Sequence, residues 1–317
     1  MVEPPYGVIR RQLKTGKVVP FLGAGASFVG RPPDAKWAPG QSAFLPSGRE
    51  LSNLLATETS FPDDSQGDKD NLAKVASYYV DVNGRPILRE RLRDVLSTDV
   101  PCGALHRYLA EVPAPLVIVV TNYDNLVEKA FRSAGKPYDL VVYPADRKDI
   151  AGGILWWPHG ATEPTIRAPN DLARDIDLAK TTVIYKMHGT LDPSDARDDN
   201  FVITEEDYVE FLSRMTTSTA VPSLFFEHFM ERSFLFLGYS LSDWNLRVIL
   251  KSLNRLLSQT RARPAQDQAQ QALPSWAIQY RPSELEQTLW KHRNVSIFDM
   301  TVDSFVAKLR DAQSRLR

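Results

Sequence analysis

Lys17-Val18-Val19-Pro20-Phe21-Leu22-Gly23-Ala24-Gly25-Ala26-Ser27 decides the fold. The first six residues are a short apolar run of the kind buried as a strand, and the last five are a turn with almost no side chains. An apolar strand feeding a glycine turn and then a helix is how open α/β sheets bring backbone N–H groups up to a pyrophosphate. Gly23 and Gly25 permit the turn and a close approach. The spacing departs from the dinucleotide fingerprint, because Phe28 stands where the third glycine belongs and Gly30 comes too late. Two readings stand on this stretch alone: a nucleotide cradle, or an ordinary tight strand-to-helix turn.

The chain around it has 317 residues, enough for one large or two modest domains. Hydrophobic residues make up 43% and charged residues 24%, with a formal net charge of -1, so composition supplies no electrostatic reason to coat nucleic acid or a membrane. The single cysteine, Cys102, rules out an internal disulfide framework and a four-cysteine zinc ribbon. No basic segment followed by an apolar one opens the chain, and no stretch approaches the roughly 18 apolar residues of a membrane span. A cytoplasmic location is expected.

Upstream, Tyr6 to Gly16 reads as an amphipathic helix. Downstream, the stretch from Gly30 to Pro46 is rich in proline and aromatics, and reads as a lid or as a packed irregular loop. Ser47 caps a helix to about Glu58, and helices over about Asn71–Val82, Arg85–Leu96 and Ala104–Glu111 complete a helical block. The block, with the loop before it, is expected as an insertion over about 31–112 of a single domain spanning 1–317. Further apolar, β-branched runs follow at Pro115–Val120, Tyr138–Tyr143, Ile154–Trp157, Thr182–Met187, Phe234–Leu237, Trp276–Tyr280 and Val295–Phe298, most followed by a helical pattern. The expected fold is α/β: a Rossmann-like, mostly parallel sheet with helices on both faces and an inserted helical block. Three of these runs end in polar or glycine-rich turns, Thr121-Asn122-Tyr123-Asp124, His188-Gly189-Thr190-Leu191-Asp192 and Gly238-Tyr239-Ser240. Such turns lie at the carboxyl end of a parallel sheet, where these folds bind ligands.

Together with Gly23-Ala24-Gly25-Ala26-Ser27, those turns resemble, in order and spacing, the motifs of the sirtuin superfamily. Sirtuins carry a Gly-Ala-Gly-Ile-Ser turn, a Gln-Asn-Ile-Asp strand end, a catalytic His-Gly and a Gly-Thr-Ser turn around one NAD. The chain lacks the four-cysteine zinc module and the Ile-Pro-Asp-Phe-Arg loop of deacylating sirtuins, having Phe28-Val29-Gly30-Arg31-Pro32-Pro33 instead. Lys186-Met187-His188-Gly189-Thr190-Leu191-Asp192 and Ile203-Thr204-Glu205-Glu206-Asp207-Tyr208 look like the bacterial sirtuin-like domains of anti-phage systems, which are NAD hydrolases. The resemblance implies cleavage of NAD, as substrate and without a metal, to nicotinamide and ADP-ribose, in a defence effector that depletes the cofactor. Deacylation or ADP-ribosyl transfer is the alternative enzyme class, and a non-catalytic sensor of NAD or ADP-ribose is the alternative outside enzymes. The resemblance further implies cofactor contacts at Gly23, Ala24, Gly25, Ser27, Thr121, Gly238 and Ser240.

Breaking the nicotinamide-ribose bond passes through an oxocarbenium-like centre, so the site must hold the ribose and present a nucleophile. Asn122 can orient a ribose hydroxyl or a water without changing charge. Asp124, carried over from the matching family position, can hold the nicotinamide side; both residues can equally cap the helix that follows. His188 is the candidate base, and His159, in Trp156-Trp157-Pro158-His159-Gly160, is its competitor. His106, His228 and His292 stand on predicted helices without companion ligands, and no metal is assigned. Because the predicted elements absorb nearly the whole chain, control is expected between chains, through a homo-oligomer and a separately encoded partner such as a HerA-type ATPase.

Overall fold

The computed structural model describes residues 3–32, 34–62, 67–150, 152–192, 195, 197, 199–216, 220–239 and 273–314. The strands are β1 (Val18–Leu22), β2 (Val117–Val120), β3 (Asp139–Val142), β4 (Ile154–Trp157), β5 (Thr165–Arg167), β6 (Val183–Lys186), β7 (Gly189–Thr190), β8 (Asn200–Phe201), β9 (Ser233–Leu237), β10 (Ser275–Gln279) and β11 (Val295–Asp299). The α-helices are α1 (Tyr6–Lys14), α2 (Gly48–Glu58), α3 (Leu72–Asn83), α4 (Arg85–Leu96), α5 (Ala104–Glu111), α6 (Leu126–Ser133), α7 (Leu172–Asp175), α8 (Glu205–Thr216), α9 (Ser223–Met230), α10 (Glu284–Lys291) and α11 (Val302–Ser314).

Nine strands form one sheet in the order β11-β10-β9-β1-β2-β6-β3-β4-β5, parallel from β11 to β3, with β4 and β5 added antiparallel at the edge. The fold is therefore α/β and Rossmann-like, as the strand runs predicted. Side chains alternate along each strand and divide the core in two. Val19, Phe21, Val117, Val119, Val183, Tyr185 and Phe236 face the helices that supply Phe211, Phe225 and Trp290. Val18, Leu22, Ile118, Val120, Ile184, Leu235 and Leu237 face those that supply Ile9, Leu109, Phe131 and Phe305. Both faces are covered, which is why these strands read as unbroken apolar runs.

Between β4 and β6 the chain, polar over about 161–180, carries the edge strand β5 and the single turn α7. A correction concerns the glycine turn. A four-residue 3-10 segment, Ala24–Ser27, follows β1 instead of a helix, and irregular chain then runs to α2. That irregular stretch is pinned rather than loose. Glu50 accepts from both Arg31 guanidinium nitrogens, at 2.5 and 2.7 Å, and from the backbone N–H groups of Trp37 and Ser47. These bonds hold its carboxyl down at about 2, the Arg31 hydrogen bonds contributing most.

Helices α2 to α4 build a third apolar core with Phe201 of the small β7-β8 ribbon, beyond the end of β6, and with Leu191 and Ile203 beside that ribbon. Arg85, Arg89 and Arg93 lie one turn apart on α4 and clasp that ribbon. Arg85 reaches Asp146, Asp207 and the Phe201 carbonyl. Arg89 donates to the Asp199 carbonyl, and Arg93 grips the buried Asp199 carboxylate at 2.7 and 2.8 Å. The helical block thus stands over the carboxyl edge of the sheet.

Candidate active site

The order in which strands are added reverses between β1 and β9: from β1 the sheet grows one way through β2, β6 and β3, and later strands fill the other side. Crevices at such switch points are where open α/β sheets take ligands. Here the two glycine turns meet across the crevice. The Gly25 N–H donates to the Gly238 carbonyl at 2.8 Å, and the Gly23 N–H donates to the Leu237 carbonyl at 3.0 Å. A Cβ on Gly25 would stand 2.9 Å from the Gly238 Cα; one on Gly238, whose φ is +72°, would stand 2.2 Å from the Ala26 nitrogen. Glycine is needed at both places for backbone to pack on backbone.

Beside these turns a cavity of about 510 Å³ opens between the carboxyl ends of the strands and the helical block. Ala24, Ser27, Thr121, Asn122, Asp124, His188 and Gly238 line one wall, and Ser47, Arg49, Asn71 and Leu72, at the first turns of α2 and α3, line the other. Gly23 and Gly25 are not among the lining residues; they hold the floor behind it. Ser240 lies outside the described residues.

Asn122 leaves β2 with both amide hydrogens committed, one to the Gly23 carbonyl at 2.9 Å and one to Ser27 Oγ at 2.6 Å. The Ser27 hydroxyl in turn donates a hydrogen bond to Asp124 Oδ2 at 2.5 Å, and Asp124 Oδ1 accepts the Leu126 N–H at the start of α6. The capping role and the site role of Asp124 coexist, one oxygen to each. What this leaves of the Asn122 amide for a ligand is its oxygen, an acceptor. The turn is braced from β9, since the Tyr239 hydroxyl meets Thr121 Oγ1 at 2.6 Å.

His188 is buried, with its ring edge-on to Tyr208 at 5.4 Å and Phe211 at 5.5 Å. Its Nε2 has no hydrogen-bond partner among the described residues. Burial pushes its pKa down to about 3, so the imidazole is neutral at working pH. Gly189 follows with φ +86°, and a Cβ there would lie 2.0 Å from the Asn200 carbonyl oxygen. The His-Gly pair is therefore fixed by the β7-β8 pairing as well as by any chemistry at the imidazole. His159 is exposed and follows the antiparallel strand β4. Its N–H bonds Asp139 at the opposite, amino-terminal edge of the sheet.

The sequence of residues 116–298 matches the model of the SIR2-like domain. The chain belongs to the SIR2-like family. Among curated relatives, the NAD(+) hydrolase ThsA of Enterococcus faecium is 30% identical over 251 residues, covering 77% of this chain and 41% of that protein. The ThsA of Acinetobacter baumannii is 28% identical over 246 residues, with the same coverage of 77% and 41%. Defense-associated sirtuin 2 of Bacillus subtilis is 22% identical over 250 residues, 78% of this chain and 20% of that protein. The SIR2-like chain thus spans about two fifths or less of the length of these relatives.

Sequence reasoning missed part of this SIR2-like cavity. Tyr208 and Tyr239 are among its lining residues, as are the first turns of α2 and α3. Ser47 and Asn71 announce helix starts through their capping chemistry, but nothing local says that those starts open onto the site.

Proposed function

We propose that this chain hydrolyses NAD to nicotinamide and ADP-ribose, and that it does so in the cavity lined by Asn122 and His188. One observation carries the reading: the hydrogen-bond chain from Asn122 through Ser27 to Asp124, which engages both amide hydrogens and leaves the amide oxygen of a residue that lines a cavity of about 510 Å³. The similarity to proteins named as NAD(+) hydrolases supports the choice of NAD.

In this reading Ala24, Ser27, Thr121 and Gly238, with Ser240 beyond, meet the phosphate and ribose, while Gly23 and Gly25 keep the turn in place. The Gly23, Gly25 and Ala26 N–H groups are already engaged within the protein, so the turn serves the ligand mainly by its shape and smallness. Asn122 Oδ1 accepts from the attacking water or a ribose hydroxyl. The carbon-nitrogen bond to nicotinamide breaks, the water oxygen bonds to C1′, and one proton leaves. A neutral His188 receives that proton transiently, favoured by the positive charge that NAD loses in the same step. Asp124 lies behind Asn122 and favours positive charge developing at C1′.

The biological setting we propose is anti-phage defence by NAD depletion in the cytoplasm, through a homo-oligomer and a separately encoded partner such as a HerA-type ATPase; the name Defense-associated sirtuin 2 supports the first part. Incubating the purified chain with NAD and following nicotinamide and ADP-ribose together tests the chemistry. Equal release of both is expected. Nicotinamide released only when an acylated peptide is added would instead mark a deacylase.

A further inference from the structure

A charged residue stands where the sheet should be apolar. Lys186, the last residue of β6, is 0% exposed, and it is paired in register with Val120 on one side and Val142 on the other. A lysine is almost never fully buried unless something holds its ammonium. Two groups do. Its Nζ donates to the main-chain carbonyl of Asp124, and it lies 3.5 Å from Glu128 Oε1 on the first turn of α6. Glu128 is itself buried, and its other carboxylate oxygen has no hydrogen-bond partner among the described residues.

We propose that Lys186, seated between Glu128 and the Asp124 carbonyl, is the positioning residue that fixes the Thr121–Asp124 turn and with it the Asn122 carboxamide. Buried backbone polar groups need partners. The turn leaves β2 beside β6 and must enter α6 within a few residues, and the Asp124 carbonyl needs a donor. An ammonium on a four-carbon stem reaches it from the neighbouring strand, whereas an apolar residue in that place would leave it unpaired. Lys186 also sits two residues before His188, so one side chain ties the two strand ends that carry the candidate site. Glu128 balances the charge, and among the described residues no hydrogen bond joins its carboxylate to Asn122, Ser27 or Asp124. Among the described residues the Asp124 carboxylate is left to Ser27 and the Leu126 N–H, with no salt bridge to it.

This inference rests on the NAD reading for its functional half only. Replacing Lys186 alone would strand a buried carboxylate, so the decisive variant is the double replacement Lys186→Met with Glu128→Leu. Removing both partners of a buried pair for apolar groups of similar volume is generally tolerated. Thermal unfolding, amide hydrogen exchange over residues 121–126 and the steady-state constants for NAD should be measured on it. A melting temperature near that of the wild type is expected, with exchange at least about tenfold faster in that turn alone. The kcat for NAD should fall at least about tenfold while KM stays within about threefold. In a folded variant, either wild-type exchange or wild-type kcat overturns the proposal. Should the double variant not fold, Lys186→Gln, which keeps a donor opposite Glu128 but is too short for the carbonyl, is judged by the same readouts. Exchange needs no substrate: a wild-type chain without NAD turnover would refute the hydrolase reading, and the positioning claim would then be decided by exchange alone.

Discussion

From its place after a strand, Asn122 was legible as a residue at the carboxyl end of the sheet, where it lines the cavity, but its hydrogen bonds were not. The sequence offers an amide that both donates and accepts; the fold spends the two donors on Gly23 and Ser27 and leaves the oxygen. Replacing Asn122 or His188 by alanine should each lower NAD cleavage by a factor on the order of 10² or more, the usual scale for a positioned acid-base group. His159→Ala should leave turnover within about threefold, because that residue lies on the far edge of the sheet. His188 also makes a claim about pH. With its pKa held near 3 by burial, the profile of kcat/KM, which reports groups of the free protein, should be flat from pH 5 to 8 as far as this residue is concerned. An acid limb centred between 6 and 7 that disappears in His188→Ala would show an imidazole less buried than the structure has it. Lys186 was readable in principle, as the one charge in an apolar run, yet only the fold shows that it reaches Asp124.

Strands and helices were the most legible elements, because runs buried on both faces and apolar stripes of helical spacing leave their marks in composition. The glycines also have a protein neighbour that the sequence did not show. Gly25 and Gly238 approach each other, so Gly25→Val should part the two turns and destabilise the protein as well as deform the cavity. Gly238→Ala, at φ +72° against the Ala26 nitrogen, should cost at least about 2 kcal/mol in denaturant unfolding. Comparing either variant with wild type by urea titration checks this; an unchanged midpoint would deny the close packing. The clasp of α4 was hidden too, since three arginines four residues apart look like a solvated face. Arg93→Met leaves the Asp199 carboxylate buried without its cation, and a loss of about 3–5 kcal/mol is expected. Unfolding midpoints read against those of Asp199→Asn/Arg93→Met would separate the lost pair from the stranded charge.

At the scale of the molecule, the helical block was recognised as a block, but its position over the carboxyl edge was not, because that depends on contacts between residues more than 100 apart, such as Arg85 with Phe201. The same burial gives the protein a pH signature. His106, His188 and His228 are all pushed down by burial, to about 4, 3 and 3. Above pH 6.5 folded and unfolded chains are alike at these residues. Below it the unfolded chain takes up protons that the folded chain refuses, so stability falls with pH, by about 2 kcal/mol per histidine at pH 5. Melting temperatures should therefore drop between pH 6.5 and 5, where carboxylates still carry their charge; a melting temperature constant across that interval would contradict the buried, neutral state of these rings. The central claim is that a fixed Asn122 oxygen in this SIR2-like cavity turns NAD into nicotinamide and ADP-ribose. The most direct test follows both products from NAD, over a range of protein concentrations, for the wild type and for Asn122→Ala of matched melting temperature. Equimolar products from the wild type, and at least about a hundredfold less from the variant, is the predicted result. Wild-type protein that leaves NAD intact at every concentration, or a variant that cleaves it as fast as the wild type, would contradict the account.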